Sequence, residues 1–180
     1  LLEAMQEKMV TVGKQTYQLP LPFMVLATQN PIENEGTYPL PEAQLDRFLF
    51  KLLVEFPSVN ELLDIMDKTV TNNVIQLNKI MNGMDLIEIR KIIFDLPMAD
   101  PVKDYAVRIV VGTHPNLGDS TVEANKYVLT GASPRAAQAI FKTAKAKAFM
   151  EGRLNVSFDD IEYVAFPALR HRLALNFNAL

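Results

Sequence analysis

The sequence predicts an α/β fold in two parts, with a sheet-forming part up to about Pro57 and an all-helical part after it. Two apolar runs without polar alternation, Phe23–Ala27 and Phe48–Val54, are typical of strands buried on both faces of a parallel sheet. From Ser58 onward the apolar residues recur with helical spacing instead. We therefore divide the chain into residues 1–57 and residues 58–180.

The first part carries three further local signals. Residues 1–8 and 42–46 have the composition of short helices, and two β-prone runs flank Gly13-Lys14, which suits a hairpin over residues 9–19. Two strands cannot form a stable parallel sheet alone, because their faces and edges need partners. A helix that starts at Leu1 also lacks an N-cap. We therefore expect further strands upstream of Leu1.

The second part is predicted to contain five helices. Serine or aspartate before an apolar stripe is typical of a helix start, and proline suits the first turn. The predicted helices run from Ser58 to about Val70, over 85–95, over about 101–112, from Ser133-Pro134 to about Met150, and onward from Ser157 or Asp159.

Composition excludes several kinds of protein. The 180 residues are 49% apolar and 22% charged, as in an average globular protein, and the net charge of −3 announces no surface for binding a polyanion. There is no cysteine and there are two histidines, so disulfides are excluded and we predict no metal site in this chain. No apolar run reaches the ~18 residues that span a bilayer, and no signal peptide is visible. The sequence thus predicts a cytoplasmic protein without a membrane span.

Asn30 is the first candidate site residue. It follows the first apolar run, at the edge where open α/β sheets bind ligands. Its amide can donate to a phosphate oxygen and accept from a water molecule. The alternative is a turn asparagine before Pro31. Position alone leaves both interpretations open.

Arg47 lies between a short helix and the second predicted strand. An arginine there commonly points into solvent or pairs with a neighbour such as Asp46, and such surface pairs stabilise by only ~0–1 kcal/mol. The alternative is an arginine finger, a permanently charged guanidinium that reaches a phosphate in a neighbouring subunit.

Arg135 is predicted in the first turn of a helix, after Ser133 as N-cap and Pro134 as first residue. The helix dipole disfavours a cation at that end. The position becomes favourable if an anion lies in front of it, where guanidinium and dipole act together. The alternative is a long side chain that turns into water.

Several segments taken together resemble the MoxR family of AAA+ ATPases. The most specific runs from Leu26 through Asn30-Pro31-Ile32-Glu33 and on from Glu35 to Leu45-Asp46-Arg47-Phe48. The others are Gly131–Ala136, Gly152-Arg153 followed by Leu169–Arg172, and Leu1–Glu7, which is similar to the helix after the Walker B strand. The resemblance covers nearly the whole chain.

The resemblance implies a fold and three residue roles. The fold is the C-terminal part of a P-loop AAA+ core, a β-hairpin plus two parallel-sheet strands, followed by an all-α lid domain. Asn30 resembles the catalytic sensor 1 residue, Arg47 the catalytic arginine finger that acts in trans, and Arg135 the sensor 2 arginine that binds ATP. The hairpin over 9–19 resembles an insertion before sensor 1.

The resemblance also implies cofactors and partners. ATP and Mg²⁺ would be bound mainly by residues that this chain lacks, since it has no G-x-x-x-x-G-K-[ST] motif, and we expect the chain alone to be inactive. The expected assembly is a homo-oligomeric ring, a hexamer, that remodels a client or a von Willebrand A domain protein in a chaperone-like manner.

Two alternatives to this function stay open. One is a helical assembly module with no catalytic role. The other is a motor that acts on nucleic acid, which the acidic middle of the chain supports poorly.

Overall fold

The computed structural model describes residues 2–29, 40–70 and 77–179. Within them the secondary structure, in chain order, is α1 (Leu2–Glu7), β1 (Met9–Val12), β2 (Gln15–Gln18), α2 (Glu42–Leu45), α3 (Val59–Val70), α4 (Gly83–Asp95), α5 (Asp100–Gly112), α6 (Val122–Tyr127), β3 (Val128–Thr130), α7 (Pro134–Met150), α8 (Phe158–Leu169), β4 (Ala174–Leu175) and a final 3₁₀ turn (Phe177–Ala179).

The hydrophobic core lies between α5, α7 and α8. Small residues recur along α7 at helical spacing, and they let the neighbouring helices approach its backbone closely. The fully inaccessible Ile140 of α7 and Ile161 of α8 fill the centre. The buried hydrophobic residues of the three helices are Val102, Ala106, Val110, Ala136, Ala139, Ile140, Ala144, Ala148, Ile161, Val164, Ala168 and Leu169.

The predicted starts of α7 and α8 are confirmed by their caps. The Ser133 hydroxyl accepts a hydrogen bond from the Arg135 amide at 3.2 Å, and Pro134 is the first residue of α7. At α8, Ser157 and Asp160 form a reciprocal capping box. Both helices therefore begin where local side-chain chemistry satisfies the free N–H groups.

The predicted hairpin is also confirmed. Strands β1 and β2 pair antiparallel, with Val12 opposite Gln15. The turn between them requires a left-handed backbone, and Gly13 supplies it with φ of 64°.

The two parallel strands expected at 23–27 and 48–54 are not formed, which corrects that part of the expectation. Residues 23–29 and 50–57 are not assigned to any strand, and Leu26 and Val54 are 85% and 95% exposed. A strand of a parallel sheet needs partners along its edges and cover on both faces, and the described residues provide neither for these runs. Instead, the Lys51 amide donates to the Pro167 carbonyl at 3.0 Å, so the second run contacts the end of α8.

The helical part is not purely helical, which corrects a second expectation. Strands β3 and β4 form a two-stranded antiparallel ribbon with Val128 opposite Leu175. The ribbon places the C-terminal segment next to α6. The backbone N–H of Asn176 donates to the carbonyl of Tyr127, the last residue of α6, at 2.9 Å. Strands of two or three residues are too short for a periodicity signal, so the sequence did not indicate them.

Helix α3 begins after Ser58 as predicted, and the Ser58 amide donates to the Glu61 carboxylate at 2.8 Å. Its expected apolar stripe, however, buries no residue within the described chain. The division of the chain at residue 57 stays a prediction. Across the described ranges, no helix combines the length and apolar character needed to cross a membrane.

Candidate functional site

Two of the three predicted site residues, Arg47 and Arg135, lie in the part of the chain that the structure describes. Asn30 lies outside the described residues, as does most of the loop that follows it. The site is therefore built from the segment after α2, the start of α7 and the residues that follow α8.

Asp46 connects these three segments. Its carboxylate accepts a hydrogen bond from the Ser133 hydroxyl at 2.7 Å and from Arg135 Nη1 at 3.0 Å. Arg172 Nε donates to the same carboxylate at 3.1 Å. Asp46 therefore joins the first part of the chain to the helical part through one N-cap serine and two guanidinium groups.

The Asp46 carboxylate is held in its charged form. Partial burial raises its pKa, but the hydrogen bonds from Ser133 and Arg135, together with the nearby charge of Arg172, outweigh burial and lower the pKa below its ordinary value. A charged acceptor also strengthens each of these hydrogen bonds.

Arg172 is almost completely buried, with 2% of its side chain exposed. Besides the Asp46 carboxylate, Nη2 donates to the Asp46 carbonyl at 3.0 Å and to the Phe48 carbonyl at 2.6 Å. Nη1 donates to the Leu49 carbonyl at 3.3 Å and to the Ala168 carbonyl. Five contacts match the five N–H donors of a guanidinium, which explains how this cation tolerates its burial.

His171 is a buried imidazole beside this arginine. Nε2 lies 2.9 Å from the Phe48 carbonyl, and because a carbonyl only accepts, Nε2 carries the proton. Nδ1 is buried and has no partner in the described chain. Burial lowers the pKa of His171, more than the hydrogen bond to Phe48 raises it.

Arg47 has no carboxylate partner within the described ranges. Its neighbour Asp46, the expected surface partner, is occupied by Arg135 and Arg172 instead. Arg47 Nη1 is buried without a hydrogen-bond acceptor, again counting the described residues. An unmade hydrogen bond at a buried donor costs about 1–3 kcal/mol, so this nitrogen is in an unfavourable environment.

Arg135 is in the first turn of α7, as predicted, and its side chain is about half exposed. The anion that lies in front of it is the Asp46 carboxylate. Arg135 thus lies close to the backbone of Arg47, because its guanidinium donates to Asp46, which directly precedes Arg47 in the chain.

Sequence reasoning missed Asp46 and Arg172 as parts of this arrangement. The available signal was the basic run Arg170-His171-Arg172 directly after the apolar helix α8, which is unusual for residues that pack against a core. Among the residues described, no group of three or more His, Asp or Glu is placed to hold a metal ion.

Known proteins match this chain in both of its parts. Residues 1–50 match the ATPase family associated with various cellular activities (AAA), and residues 122–179 match the AAA lid domain. Chaperone MoxR1 of Mycobacterium tuberculosis is 42% identical over an alignment of 182 residues that covers 100% of this chain and 48% of that protein. The chain belongs to the MoxR family of AAA+ ATPases.

Two further proteins match nearly all of the chain. The uncharacterized protein YeaC of Bacillus subtilis is 44% identical over 179 residues, covering 98% of this chain and 52% of that protein. A crystal structure of a putative ATPase from Cytophaga hutchinsonii superposes with a TM-score of 0.91 at 42% identity, covering 99% of this chain and 54% of that one. The AAA+ fold class is therefore confirmed, and the chain spans about half the length of the relatives it matches.

Proposed function

We propose that this chain belongs to an ATP-hydrolysing ring ATPase that remodels a partner protein, and that Arg47 and Arg135 act on the phosphates of ATP. Family membership supports the reaction. The observation that carries the residue assignment is the Asp46 carboxylate, which binds the half-exposed Arg135 guanidinium at 3.0 Å and directly precedes Arg47 in the chain.

The described residues fit a phosphate chain better than a metal ion. Guanidinium groups present planar, permanently charged donors that match phosphate oxygens, and Arg47 and Arg135 offer two of them. No group of three or more His, Asp or Glu side chains among the described residues is placed to hold a metal ion. We therefore assign the phosphates of ATP to these arginines and assign no Mg²⁺ ligand among them.

Arg47 acts as the catalytic residue in this proposal. Its guanidinium neutralises the charge that grows on the transferred phosphoryl oxygens, which is the contribution of an arginine finger. Asn30 orients the attacking water at the end of its segment. Arg135 binds the phosphates, and its half-exposed side chain has room to exchange the Asp46 carboxylate for a phosphate oxygen.

Both arginines adjoin Asp46. Arg135 Nη1 lies 3.0 Å from Asp46, and Arg47 is the next residue. We propose that Arg135 contacts the nucleotide bound by its own subunit and that Arg47 contacts the nucleotide bound by an adjacent subunit, so that each site is complete only in a homo-oligomeric ring.

The remaining functional assignments rest on family likeness. One relative is named a chaperone, which supports remodelling of a client protein. A hexameric ring, a von Willebrand A domain partner and a cytoplasmic location remain part of the proposal.

The test is Arg47→Ala in the full-length protein. Loss of an arginine finger lowers turnover by about 10³-fold or more, whereas nucleotide affinity should stay within about threefold, because most of the binding contacts are made elsewhere in the phosphate site. Phosphate release gives kcat, and titration with a fluorescent ATP analogue gives Kd.

Arg108→Ala is the matched control. Arg108 is an exposed arginine of α5 whose partner is the equally exposed Asp104, so its removal should leave turnover unchanged. Normal turnover in Arg47→Ala would contradict the proposal. Absence of turnover in the full-length wild type would favour the assembly-module alternative.

A further inference from the structure

We infer that Arg172 is a positioning residue for Arg47, fixing the backbone on both sides of it against the lid. The inference rests on the proposed function, in which Arg47 reaches a phosphate. Arg172 itself lies too deep to contact a nucleotide, since 2% of its side chain is exposed.

The contacts of Arg172 enclose residue 47. On one side, the guanidinium binds both the carboxylate and the carbonyl of Asp46, at 3.1 and 3.0 Å. On the other side it binds the carbonyls of Phe48 and Leu49, at 2.6 and 3.3 Å. Residues 46, 48 and 49 are therefore held, and Arg47 projects from a backbone that cannot shift without breaking several buried hydrogen bonds.

The same guanidinium fixes this segment to the lid. Arg172 follows α8 closely, and its Nη1 also donates to the Ala168 carbonyl within α8. His171 adds a second bond from the lid, through Nε2, to the Phe48 carbonyl. The position of Arg47 is thus defined relative to the lid, so a rotation of the lid would move the finger as well.

The chemistry requires arginine at this position. A guanidinium presents five N–H donors in a fixed plane, whereas a lysine ammonium presents three at one point. Arg172→Lys keeps the charge but leaves some of the carbonyls of Asp46, Phe48 and Leu49 without a donor. A displacement of a catalytic group by about 1 Å can lower a rate about 100-fold.

A double-mutant cycle on kcat tests the inference. Full-length wild type, Arg172→Lys, Arg47→Ala and the double variant are compared by single-turnover hydrolysis of radiolabelled ATP, with KM from steady-state assays. We expect Arg172→Lys to lower kcat at least tenfold with KM within twofold. In the Arg47→Ala background it should cause no further loss, because the residue that it positions is absent.

A purely structural role predicts a different pattern. It would lower kcat by the same factor in both backgrounds, and that additive result would overturn the inference. A kcat within twofold of wild type in Arg172→Lys would overturn it too. Arg108→Lys, on the exposed face of α5, is the matched control and should leave kcat and KM unchanged.

His171→Gln is a second variant, which tests the inference if Arg172→Lys does not fold. Glutamine keeps an N–H donor for the Phe48 carbonyl but alters its reach, so we expect a smaller loss of kcat that again disappears in the Arg47→Ala background. No loss in this variant, or an additive one, would count against the inference if Arg172→Lys does not fold.

The cycle separates the two proposals. If Arg47→Ala alone hydrolyses ATP normally, the proposed function fails. If Arg47→Ala loses turnover while Arg172→Lys and His171→Gln retain it, the finger stands and only the positioning role fails.

Discussion

Asp160 is a nearly inaccessible carboxylate held by two nitrogens of one guanidinium. Arg153 Nη1 and Nη2 donate to its two oxygens at 2.7 and 2.5 Å, and the Ser157 amide adds a bond at 2.8 Å. These bonds, Arg153 first, lower the pKa of Asp160 to about 2 in spite of burial. The Arg153–Asp160 pair therefore connects the turn after α7 to the first turn of α8.

We expect Asp160→Asn to lower the free energy of unfolding at pH 7 by about 2 kcal/mol, since one pKa unit corresponds to about 1.4 kcal/mol. The native pKa, about 2, is below the ordinary 3.8. The contribution is therefore complete above about pH 4 and is lost as the pH falls through about 2. Urea unfolding of wild type and variant at pH 7 and pH 3 measures it.

Asp104→Asn is the control for this pair. Asp104 binds Arg108 through a single exposed contact, so its loss should matter much less than that of Asp160. An Asp160→Asn effect as large at pH 3 as at pH 7 would contradict the titration argument.

At the scale of elements, the start of α7 is fixed by its contact with the end of α5. His114 Nε2 lies 2.8 Å from the Ala132 carbonyl, and the Thr113 hydroxyl accepts from the Ala132 amide at 3.0 Å. Gly131 passes so close that a Cβ there would lie 2.6 Å from His114 Cγ and 2.8 Å from His114 Cα. The glycine is therefore needed for close approach.

Gly131→Ala is expected to destabilise the chain by about 1–3 kcal/mol, the range for overpacking a tight contact. The His114 Cα belongs to the backbone and cannot rotate away. Thermal unfolding measures the loss. Gly118→Ala is the matched control, because nothing lies within 4 Å of a Cβ at that position. Equal melting temperatures for the two variants would contradict the proposed contact.

At the scale of the whole molecule, the first and second parts are joined by polar contacts around Asp46, Arg172 and His171. Phe50 adds apolar contact with the core. The polar contacts depend on protonation. Burial lowers the pKa of His171, and the charges of Arg172 and Lys51 oppose its protonation further, while Asp46 acts in the other direction.

This gives the junction a dependence on pH. Because the native pKa of His171 lies below its ordinary value of 6.5, the unfolded chain takes up the proton first. The histidine's contribution is complete above about pH 6.5 and decreases as the pH falls below that value. We expect the melting temperature of wild type to fall from pH 7.5 to pH 5.5 by more than that of His171→Gln.

Calorimetry of the two proteins at both pH values makes the comparison. The difference between the two decreases in melting temperature isolates the contribution of His171, since every other titrating group is common to both proteins. Equal falls would show that His171 does not couple protonation to the junction.

Short-range chemistry in the chain accounts for much of the fold. The caps at Ser133 and Ser157 and the left-handed Gly13 act over a few residues, so helix starts and the hairpin could be read directly. The family resemblance, carried by the sequence segments that contain Asn30, Arg47 and Arg135, predicted the fold class and the candidate site. The sequence did not predict β3 and β4, because strands of two or three residues are too short to show a hydrophobic periodicity.

Only the tertiary structure determines which residues that are distant in sequence pair with each other. Asp46 and Arg172 are 126 residues apart, and no local pattern states that one buried guanidinium will bind the residues around Arg47. The apolar runs at 23–27 and 48–54 have strand composition, yet strands form only where neighbouring edges supply hydrogen bonds. The composition of a segment limits the secondary structures that it can form, and its tertiary contacts determine which of them it adopts.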